Sequence, residues 1–221
     1  MRESPVLGHS VRRALLVALL AGVTVTALAG SSGASTPPPT VYVTIPVVTA
    51  DTVRPIAVAT NTAGPAISVA GDPAGIVITP DGETAYVSLA DTGSVVPIDL
   101  ATNTVGTAIP VPGAYGVAIT PDGTTVYVTD GDVGSNSVTP IDVATNTAGS
   151  EITVGTSPRG IAITPDGTTV YVTNILSDSV TPIDVATNTP GTDIPVTLNP
   201  NGIAITPDAR PPTSPTRGAA R

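Results

Sequence analysis

A repeat with a period of about 42 residues runs through the middle of the chain. Three short motifs keep this period. Ala-Thr-Asn-Thr begins at residues 59, 101, 144 and 186, Thr-Pro-Asp at 79, 120, 164 and 206, and Tyr-Val followed by Thr or Ser at 42, 86, 127 and 171. A repeat of this length is one supersecondary unit that cannot bury its apolar face alone, so its copies must stack against one another.

Each unit is predicted to contain four short antiparallel strands. In the third complete unit the predicted strands cover residues 161–164, 169–173, 179–185 and 194–196. Pro165-Asp166-Gly167 is predicted to form the first hairpin turn, because proline presets φ, aspartate bonds the backbone ahead and glycine accepts a positive φ. Four such strands in roughly 40–50 residues are typical of a β-propeller blade. The sequence therefore predicts an all-β fold.

The composition supports this fold class. The chain has 22 Gly and 24 Pro, is rich in threonine and valine, and contains no Phe or Trp. β-branched residues favour strands, whereas Gly and Pro favour turns. Pro97, Pro140 and Pro182 fall inside predicted third strands, where proline removes a hydrogen-bond donor from the ladder. We therefore predict a bulge or an outward-facing donor position at each of these prolines.

One copy of the repeat carries the motif of a known family. Tyr171-Val172-Thr173-Asn174 is followed by Ser179-Val180, by Pro182-Ile183-Asp184 and by a Gly-Ile-Ala-Ile-Thr-Pro-Asp strand. Over residues 41–208 this pattern resembles the YVTN family of β-propeller repeats. The resemblance implies a secreted or cell-surface protein, built from four-stranded antiparallel blades, in a family whose members commonly have about seven of them.

The phase of the repeat suggests how the array closes. Residues 41–69 supply the second to fourth strands of a blade, residues 202–207 supply a lone first strand, and three complete blades lie between. If the lone strand pairs with the initial three, about four blades close into a ring that leaves no open sheet edge. The alternatives are an open or partial array, a dimer that completes one larger ring, and a truncated fragment of a larger propeller.

The two ends of the chain differ from the repeats. Residues 1–29 combine early arginines, a short apolar run and an Ala-Leu-Ala end, which predicts a secretory signal peptide. An uncleaved membrane anchor is the alternative, although the apolar run is shorter than the ~20 residues of a spanning helix. Residues 30–40 are predicted to form a flexible linker and residues 209–221 a disordered tail. We therefore expect a secreted, extracellular or cell-envelope protein with no stable membrane span after cleavage.

Composition and charge exclude several classes of function. The chain has no cysteine and no lysine, and its single histidine, His9, lies in the predicted signal peptide. It therefore lacks most of the usual general bases, activated nucleophiles and transition-metal ligands. The net charge is −9 at pH 7, so affinity for nucleic acid, which needs clustered Lys and Arg, is not expected. The sequence predicts a protein that is not an enzyme and holds no cofactor.

The carboxylates recur with the repeat, which favours structural roles. Four of them occupy the Thr-Pro-Asp turns, and three precede the Ala-Thr-Asn-Thr turns. In both places an aspartate is expected to bond the backbone ahead of it. The first group is Asp81, Asp122, Asp166 and Asp208, and the second is Asp99, Asp142 and Asp184.

One acidic loop is less repetitive than the others. It contains Asp130, Asp132 and Asn136, whose oxygen atoms are candidate ligands for Ca²⁺. Gly134 stands where a further oxygen ligand is expected, and no glutamate closes the loop. A solvated loop without a metal ion is therefore the favoured interpretation. A calcium site at these three residues is the alternative.

The loop that enters each first strand keeps a common frame around a variable central residue. That residue is Ala74, Tyr115, Arg159 or Asn201 in successive repeats. In a propeller such loops lie on one face around the channel mouth, so Tyr115, Arg159 and Asn201 are the candidate ligand-binding residues. Arg159 suits a carboxylate or phosphate. The alternative is that these exposed positions vary without a function.

Two classes of function remain. The first is a non-enzymatic binding or interaction scaffold for a protein, peptide or glycan, which forms a homo-oligomer if the ring is open. The second follows from the resemblance to propellers among lactonases and quinone- or haem-linked dehydrogenases. It is an enzyme or an electron-transfer accessory subunit. The missing catalytic residue types favour the scaffold.

Overall fold

The computed structural model describes residues 38–46 and 51–207, and all regular secondary structure in these two ranges is β-strand. The predicted signal peptide, residues 30–37 of the predicted linker, Asp208 and the predicted tail lie outside the described residues. Thr40 was placed in the linker by the sequence but is the first residue of a strand, because it pairs with Ala57. Within the described ranges no helix is long and apolar enough to cross a membrane.

The strands form four antiparallel sheets, one for each repeat, which we number as blades 1–4 in chain order. Blade 1 contains β1 (Thr40–Ile45), β2 (Thr52–Ala57), β3 (Thr62–Ala63) and β4 (Ile67–Ser68). Blade 2 contains β5 (Pro73–Ile78), β6 (Thr84–Leu89), β7 (Ser94–Asp99), β8 (Thr104–Val105) and β9 (Ile109–Pro110). Blade 3 contains β10 (Ala114–Ile119), β11 (Thr125–Asp130), β12 (Ser137–Asp142), β13 (Thr147–Ala148) and β14 (Ile152–Thr153). Blade 4 contains β15 (Pro158–Ile163), β16 (Thr169–Asn174), β17 (Ser179–Asp184), β18 (Thr189–Pro190) and β19 (Ile194–Pro195).

The fourth strand of each blade is divided into two short segments that both pair with the third strand. In blade 3 the interruption lies beside Pro140, whose carbonyl accepts a 2.7 Å hydrogen bond from the Gly149 amide. The N–H and C=O of one strand residue point to the same side, so the donor that proline lacks falls at this interruption. The third strand itself is regular, and the irregularity that accommodates the proline lies in the neighbouring fourth strand.

The first strand of blades 2–4 carries a bulge near its start. In blade 4, Pro158 pairs with Asn174 and Ile161 pairs with Val172, so the register shifts between these two pairs. Blades 2 and 3 show the same shift. A bulge re-aims side chains and is common beside functional sites. The variable residues of the loops that enter blades 2–4, namely Ala74, Tyr115 and Arg159, therefore lie on bulges.

The apolar core consists of three clusters, each between two consecutive blades. The cluster between blades 2 and 3 joins Tyr86, Val95 and Ile109 of blade 2 to Val126 and Val128 of blade 3. Equivalent repeat positions form the other two clusters. Blades 2 and 3 are thus covered on both faces, whereas the described residues cover blades 1 and 4 on one face each.

The motif tyrosines also link neighbouring blades through their hydroxyl groups. Tyr86 Oη donates to Oδ1 of Asn146 in blade 3, and Tyr127 Oη donates to Oδ1 of Asn188 in blade 4, both at 2.6 Å. Burial raises the pKa of both hydroxyls, with a smaller contribution from a nearby carboxylate. Both groups therefore remain protonated donors at neutral pH.

The Thr-Pro-Asp turns are closed by their aspartates, as predicted. Oδ1 of Asp166 accepts hydrogen bonds from Thr164 Oγ1 at 2.6 Å and from the Thr168 amide at 3.1 Å. The hydroxyl bond is the main cause that lowers the pKa of Asp166, and the pKa values of Asp81 and Asp122 are lowered in the same way. The carboxylates before the Ala-Thr-Asn-Thr turns likewise accept the amide three residues ahead: Asp99, Asp142 and Asp184.

The predicted closing strand is not formed. Residues 201–207 belong to no strand, and within the described residues β1 pairs only with β2. The carbonyl of Asn201 instead accepts a 2.9 Å hydrogen bond from Thr173 Oγ1 of blade 4. The segment therefore continues beside blade 4 and does not turn back to blade 1. Within residues 38–46 and 51–207 the four blades form no closed ring, and they have the open or partial array that the sequence analysis gave as the alternative.

Candidate ligand-binding site

One hydroxyl group connects each blade to the next. The Thr or Ser of the Tyr-Val-Thr/Ser motif lies between an amide of its own blade and a carbonyl of the following blade. Thr129 Oγ1 accepts a 2.8 Å bond from the Gly116 amide and donates a 3.1 Å bond to the Arg159 carbonyl. Ser88 and Thr173 make equivalent pairs of bonds in blades 2 and 4. We call this arrangement the hydroxyl joint.

The glycine of each entering loop leaves room for the carbonyl of the hydroxyl joint. A Cβ on Gly75 would lie 2.7 Å from the Tyr115 carbonyl oxygen, and Cβ atoms on Gly116 and Gly160 would collide with the next carbonyl in the series. None of these three glycines has a positive φ. Glycine is therefore required at these positions because the backbone carbonyl of the following blade comes so close, and not because the glycine has an unusual φ.

The repeat brings two of the predicted ligand residues into contact. Tyr115 and Arg159 occupy the same bulge position in blades 3 and 4, and Arg159 Cζ lies 4.2 Å from the centre of the Tyr115 ring. This distance is within the range of a cation–π interaction. A Cβ added to Gly131 would lie 2.5 Å from Tyr115 Cβ, so the Gly131 backbone also lies against the tyrosine. Contacts with Gly131 and Arg159 thus hold Tyr115 in place.

The Arg159 guanidinium retains its hydrogen-bonding capacity. Within residues 38–46 and 51–207 the guanidinium forms no hydrogen bond and no ion pair. Its interaction with Tyr115 is the cation–π contact, which leaves the N–H groups free to donate. A guanidinium has five N–H donors and binds carboxylate or phosphate through two parallel hydrogen bonds. Arg159 is half-buried and Tyr115 is 37% exposed, so both remain accessible from solvent.

The third candidate, Asn201, is not joined to this pair by a side-chain hydrogen bond. It is exposed, and its carbonyl completes the hydroxyl joint of blade 4. Ala74, at the same repeat position, offers only a methyl group and is half-buried. The structure therefore brings together Tyr115 and Arg159, and the part of Asn201 in ligand binding stays a prediction.

The polar groups of the acidic loop after β11 form hydrogen bonds with backbone groups of the protein. Oδ1 of Asp130 accepts a 3.1 Å hydrogen bond from the Asp132 amide, and the Asn136 carbonyl accepts a 2.9 Å bond from the Val154 amide. In the described part of the chain, no three His, Cys, Asp or Glu side chains are arranged to hold a metal ion. The calcium hypothesis for Asp130, Asp132 and Asn136 stays a prediction.

Two shallow clefts with volumes of about 250 and 230 Å³ lie between neighbouring blades. The first is lined by Pro55 and Asn103, and the second by Pro140 and Asn188 at the equivalent repeat positions. Tyr115 and Arg159 line neither cleft. Because the two clefts are related by the repeat, blade packing explains them without a ligand.

The role of the motif hydroxyls is not evident from the sequence analysis. The available signal was that the third motif position is Thr or Ser in every copy, namely Thr44, Ser88, Thr129 and Thr173. This restriction alone does not reveal which backbone groups the hydroxyls bond, since both partners come from other strands.

A family model described as Lactonase, 7-bladed beta-propeller, matches residues 89–191. This match covers the region in which consecutive four-stranded sheets pack face to face, and it decides the architecture. The chain has a β-propeller fold. The predicted all-β propeller of four-stranded blades is therefore confirmed, with its blades in an open or partial array.

Two solved propeller-like structures are similar to this chain. One is a structure of Kuenenia stuttgartiensis hydrazine synthase, with a TM-score of 0.61 and 28% identity, covering 64% of this chain and 42% of that one. The other is a functionally unknown protein from Desulfotomaculum acetoxidans DSM 771, with a TM-score of 0.59 and 24% identity, covering 71% and 53%. The propeller chain thus spans about half the length of these structures or less. No curated protein matches it.

Proposed function

We propose that this protein is an exported propeller of the YVTN type that binds a polar or anionic ligand without catalysing a reaction. The signal-peptide pattern of residues 1–29 supports export, and the lack of Cys, Lys and a second His supports a binding role. The observation that carries the proposal is the Arg159 guanidinium, 4.2 Å from the Tyr115 ring centre, with its N–H donors unused among the described residues.

The chemistry of the Tyr115–Arg159 pair favours a carboxylate. Contact with the aromatic ring restricts the arginine, so less side-chain entropy is lost when a ligand binds. The tyrosine hydroxyl and any ligand hydroxyl groups add directional hydrogen bonds. A peptide with a free carboxylate or an acidic glycan provides both kinds of group. These are the ligand classes that we propose.

Replacing Arg159 by alanine is expected to weaken ligand binding by about 1.5–3 kcal/mol, the value of a hydrogen bond to a charged group. Acidic glycans and peptides with free carboxylates are first screened against wild-type protein by calorimetry, and the best probe is then titrated into the variants. The free energy of unfolding should fall by no more than about 1 kcal/mol, because within the described residues the side chain loses only its contact with the Tyr115 ring.

The matched control is Arg54→Ala. Arg54 is the other arginine of the repeat region, and its exposed side chain lies on β2 of blade 1. This variant should bind the same probe as tightly as wild type. Equal affinity of Arg159→Ala and wild type would contradict the proposed site, and equal losses in both variants would indicate a non-specific charge effect.

An enzyme or an electron-transfer accessory subunit is the second candidate function. The lactonase-type family model and the similarity to a hydrazine synthase structure favour it. Simple γ- and δ-lactones offered to the purified protein test the first form, and co-purification with a redox partner protein tests the second. Lactone hydrolysis that survives in Arg159→Ala would favour an enzyme whose active site lies elsewhere.

A further inference from the structure

Both ends of the blade array expose apolar positions that are buried at every internal blade contact. At the start, Val41 and Val43 are 49% and 39% exposed, whereas the residues at these positions in blades 2–4 are 0% exposed. At the end, Ile194 and Val196 are 45% and 40% exposed, whereas their counterparts in blades 1–3 are at most 9% exposed. The two ends therefore carry the two halves of one further blade contact.

The backbone at the two ends is complementary in the same way. Blade 1 lacks a first strand, so the free edge of β1 pairs with none of the described residues. Residues 202–205 repeat the Gly-Ile-Ala-Ile sequence of residues 160–163, which belong to β15, the first strand of blade 4. Residues 202–205 themselves belong to no strand. One end therefore has a segment with the sequence of a first strand but no blade to join, and the other has a blade that lacks a first strand among the described residues.

We propose that a second copy of this chain completes blade 1. Residues 202–205 of one copy pair antiparallel with β1 of the other, and the reciprocal contact closes a two-fold ring of eight blades, a size seen among propellers. The register follows from blade 4, where Ile161 pairs with Val172. Ile203 of one copy is therefore placed opposite Val43 of the other.

The hydroxyl joint supports the same contact. Thr44 Oγ1 of blade 1 donates to the Ala74 carbonyl at 3.4 Å, but blade 1 has no first-strand glycine whose amide could bond this hydroxyl. The Gly202 amide of the second copy would take this place, as the Gly116 amide does at Thr129. One missing donor at the start of the array is thus matched by one glycine amide at its end.

The tyrosine–asparagine bond between blades supplies an independent polar contact. Tyr86 and Tyr127 each donate to the asparagine of the following blade. Tyr171 of blade 4 is only half-buried, and among the described residues its hydroxyl has no hydrogen-bond partner. Asn61 of blade 1 has the same left-handed φ, 52°, as Asn146 at 53°. Asn61 of the second copy is the acceptor that the repeat predicts for Tyr171.

A second copy fits the two ends better than closure within one chain. The Asn201 carbonyl occupies the place that the entering loop of the next blade has at the other hydroxyl joints, because it accepts the bond from Thr173 Oγ1. Closure of four blades needs about 90° per blade, whereas eight blades need about 45°, close to the value of a seven-bladed propeller. Completion of both edges also removes two sites at which sheets aggregate.

A disulfide cross-link in the intact chain tests this register, because the sequence contains no cysteine. The variant Val43→Cys/Ile203→Cys places one thiol on each proposed strand, opposite each other across the contact. Under mild oxidation we expect a covalent dimer held by two disulfides, seen by non-reducing electrophoresis and mass spectrometry. The control Val43→Cys/Ala204→Cys directs the second thiol to the opposite face of the strand and should remain uncrosslinked.

Each other outcome of the cross-linking would overturn the proposal. An internal disulfide in a monomer would show that the chain closes on itself. Dimers in both cysteine pairs would show contact without the proposed register, and no disulfide in Val43→Cys/Ile203→Cys would show that the strands do not meet.

The Gly202→Ala variant provides a test without cross-linking. In one copy a Cβ at Gly202 meets no atom within 4 Å, so the fold of the single chain should not change. In the proposed ring this Cβ would approach the Ala74 carbonyl of the second copy, as at Gly160. Light scattering should show a wild-type dimer and a dissociation constant at least about tenfold higher for Gly202→Ala. A monomeric wild type, or a variant that dimerises equally well, would contradict the proposal.

Discussion

Replacement of Tyr127 by alanine is expected to lower the free energy of unfolding by about 4 kcal/mol. The ring is fully buried in the cluster between blades 3 and 4, and its hydroxyl donates a 2.6 Å hydrogen bond to Asn188. The substitution therefore creates a cavity and leaves an asparagine oxygen without its partner. Urea unfolding followed by circular dichroism measures the loss.

Two matched variants locate the cause of this effect. Tyr127→Phe keeps the ring and removes only the hydroxyl bond, so it should cost about 1 kcal/mol. Tyr171→Ala removes the same motif residue from blade 4, where the ring is half-buried and the hydroxyl has no partner among the described residues. At protein concentrations low enough to keep the chain monomeric, Tyr171→Ala should cost much less than Tyr127→Ala. Equal losses would contradict the assignment of the core to contacts between consecutive blades.

Replacement of Gly116 by alanine is expected to cost about 3 kcal/mol of unfolding free energy, although a single methyl group is added. The new Cβ would collide with the Arg159 carbonyl and crowd Oγ1 of Thr129. Relief of the collision requires blade 4 to move away from blade 3, which lengthens the hydroxyl joint and opens the apolar cluster. Thermal unfolding measured by calorimetry detects this loss.

Gly202→Ala is the matched control for Gly116→Ala. Both glycines occupy the same position of the repeat, but no atom lies within 4 Å of a Cβ at Gly202. At low protein concentration this variant should therefore unfold at the wild-type temperature. If Gly116→Ala is as stable as Gly202→Ala, the approach of the Arg159 carbonyl does not require glycine at position 116.

The architecture was predictable because each blade repeats the same local signals. The turn of Pro165, Asp166 and Gly167 specifies a hairpin, and Asp166 bonds Thr164 and the Thr168 amide as its position predicts. Pro140 predicts the interruption of the sheet beside it, since it has no N–H to donate. Such features depend on residues close in sequence, where turn chemistry and strand periodicity determine the conformation.

Contacts between blades were less predictable, because their partners are distant in sequence. Tyr127 and Asn188 are 61 residues apart, and Thr129 Oγ1 bonds a carbonyl 30 residues away. For the same reason the sequence did not distinguish a closed ring from an open or partial array. The sequence of residues 202–207 identifies a first strand, but the turn per blade, which determines where that strand lies, depends on packing between whole sheets.

The candidate site was predicted in part. The common frame with a variable central residue correctly groups Tyr115 and Arg159 at equivalent positions of neighbouring blades. The contact between them, and the approach of Gly131 to the tyrosine, depend on the bulge in the first strand and on the spacing between blades. The identities of the loop residues alone determine neither the bulge nor the spacing between blades.

Amide hydrogen exchange at four equivalent glycines tests the open array of linked blades most directly. The amides of Gly75, Gly116 and Gly160 each donate to a motif hydroxyl at 2.8–2.9 Å, so they should be strongly protected. The Gly202 amide should exchange far faster in dilute protein, because it has no hydroxyl joint within a single chain. Protection of Gly202 equal to that of the other three at every concentration would show a ring closed within one chain and contradict the open array.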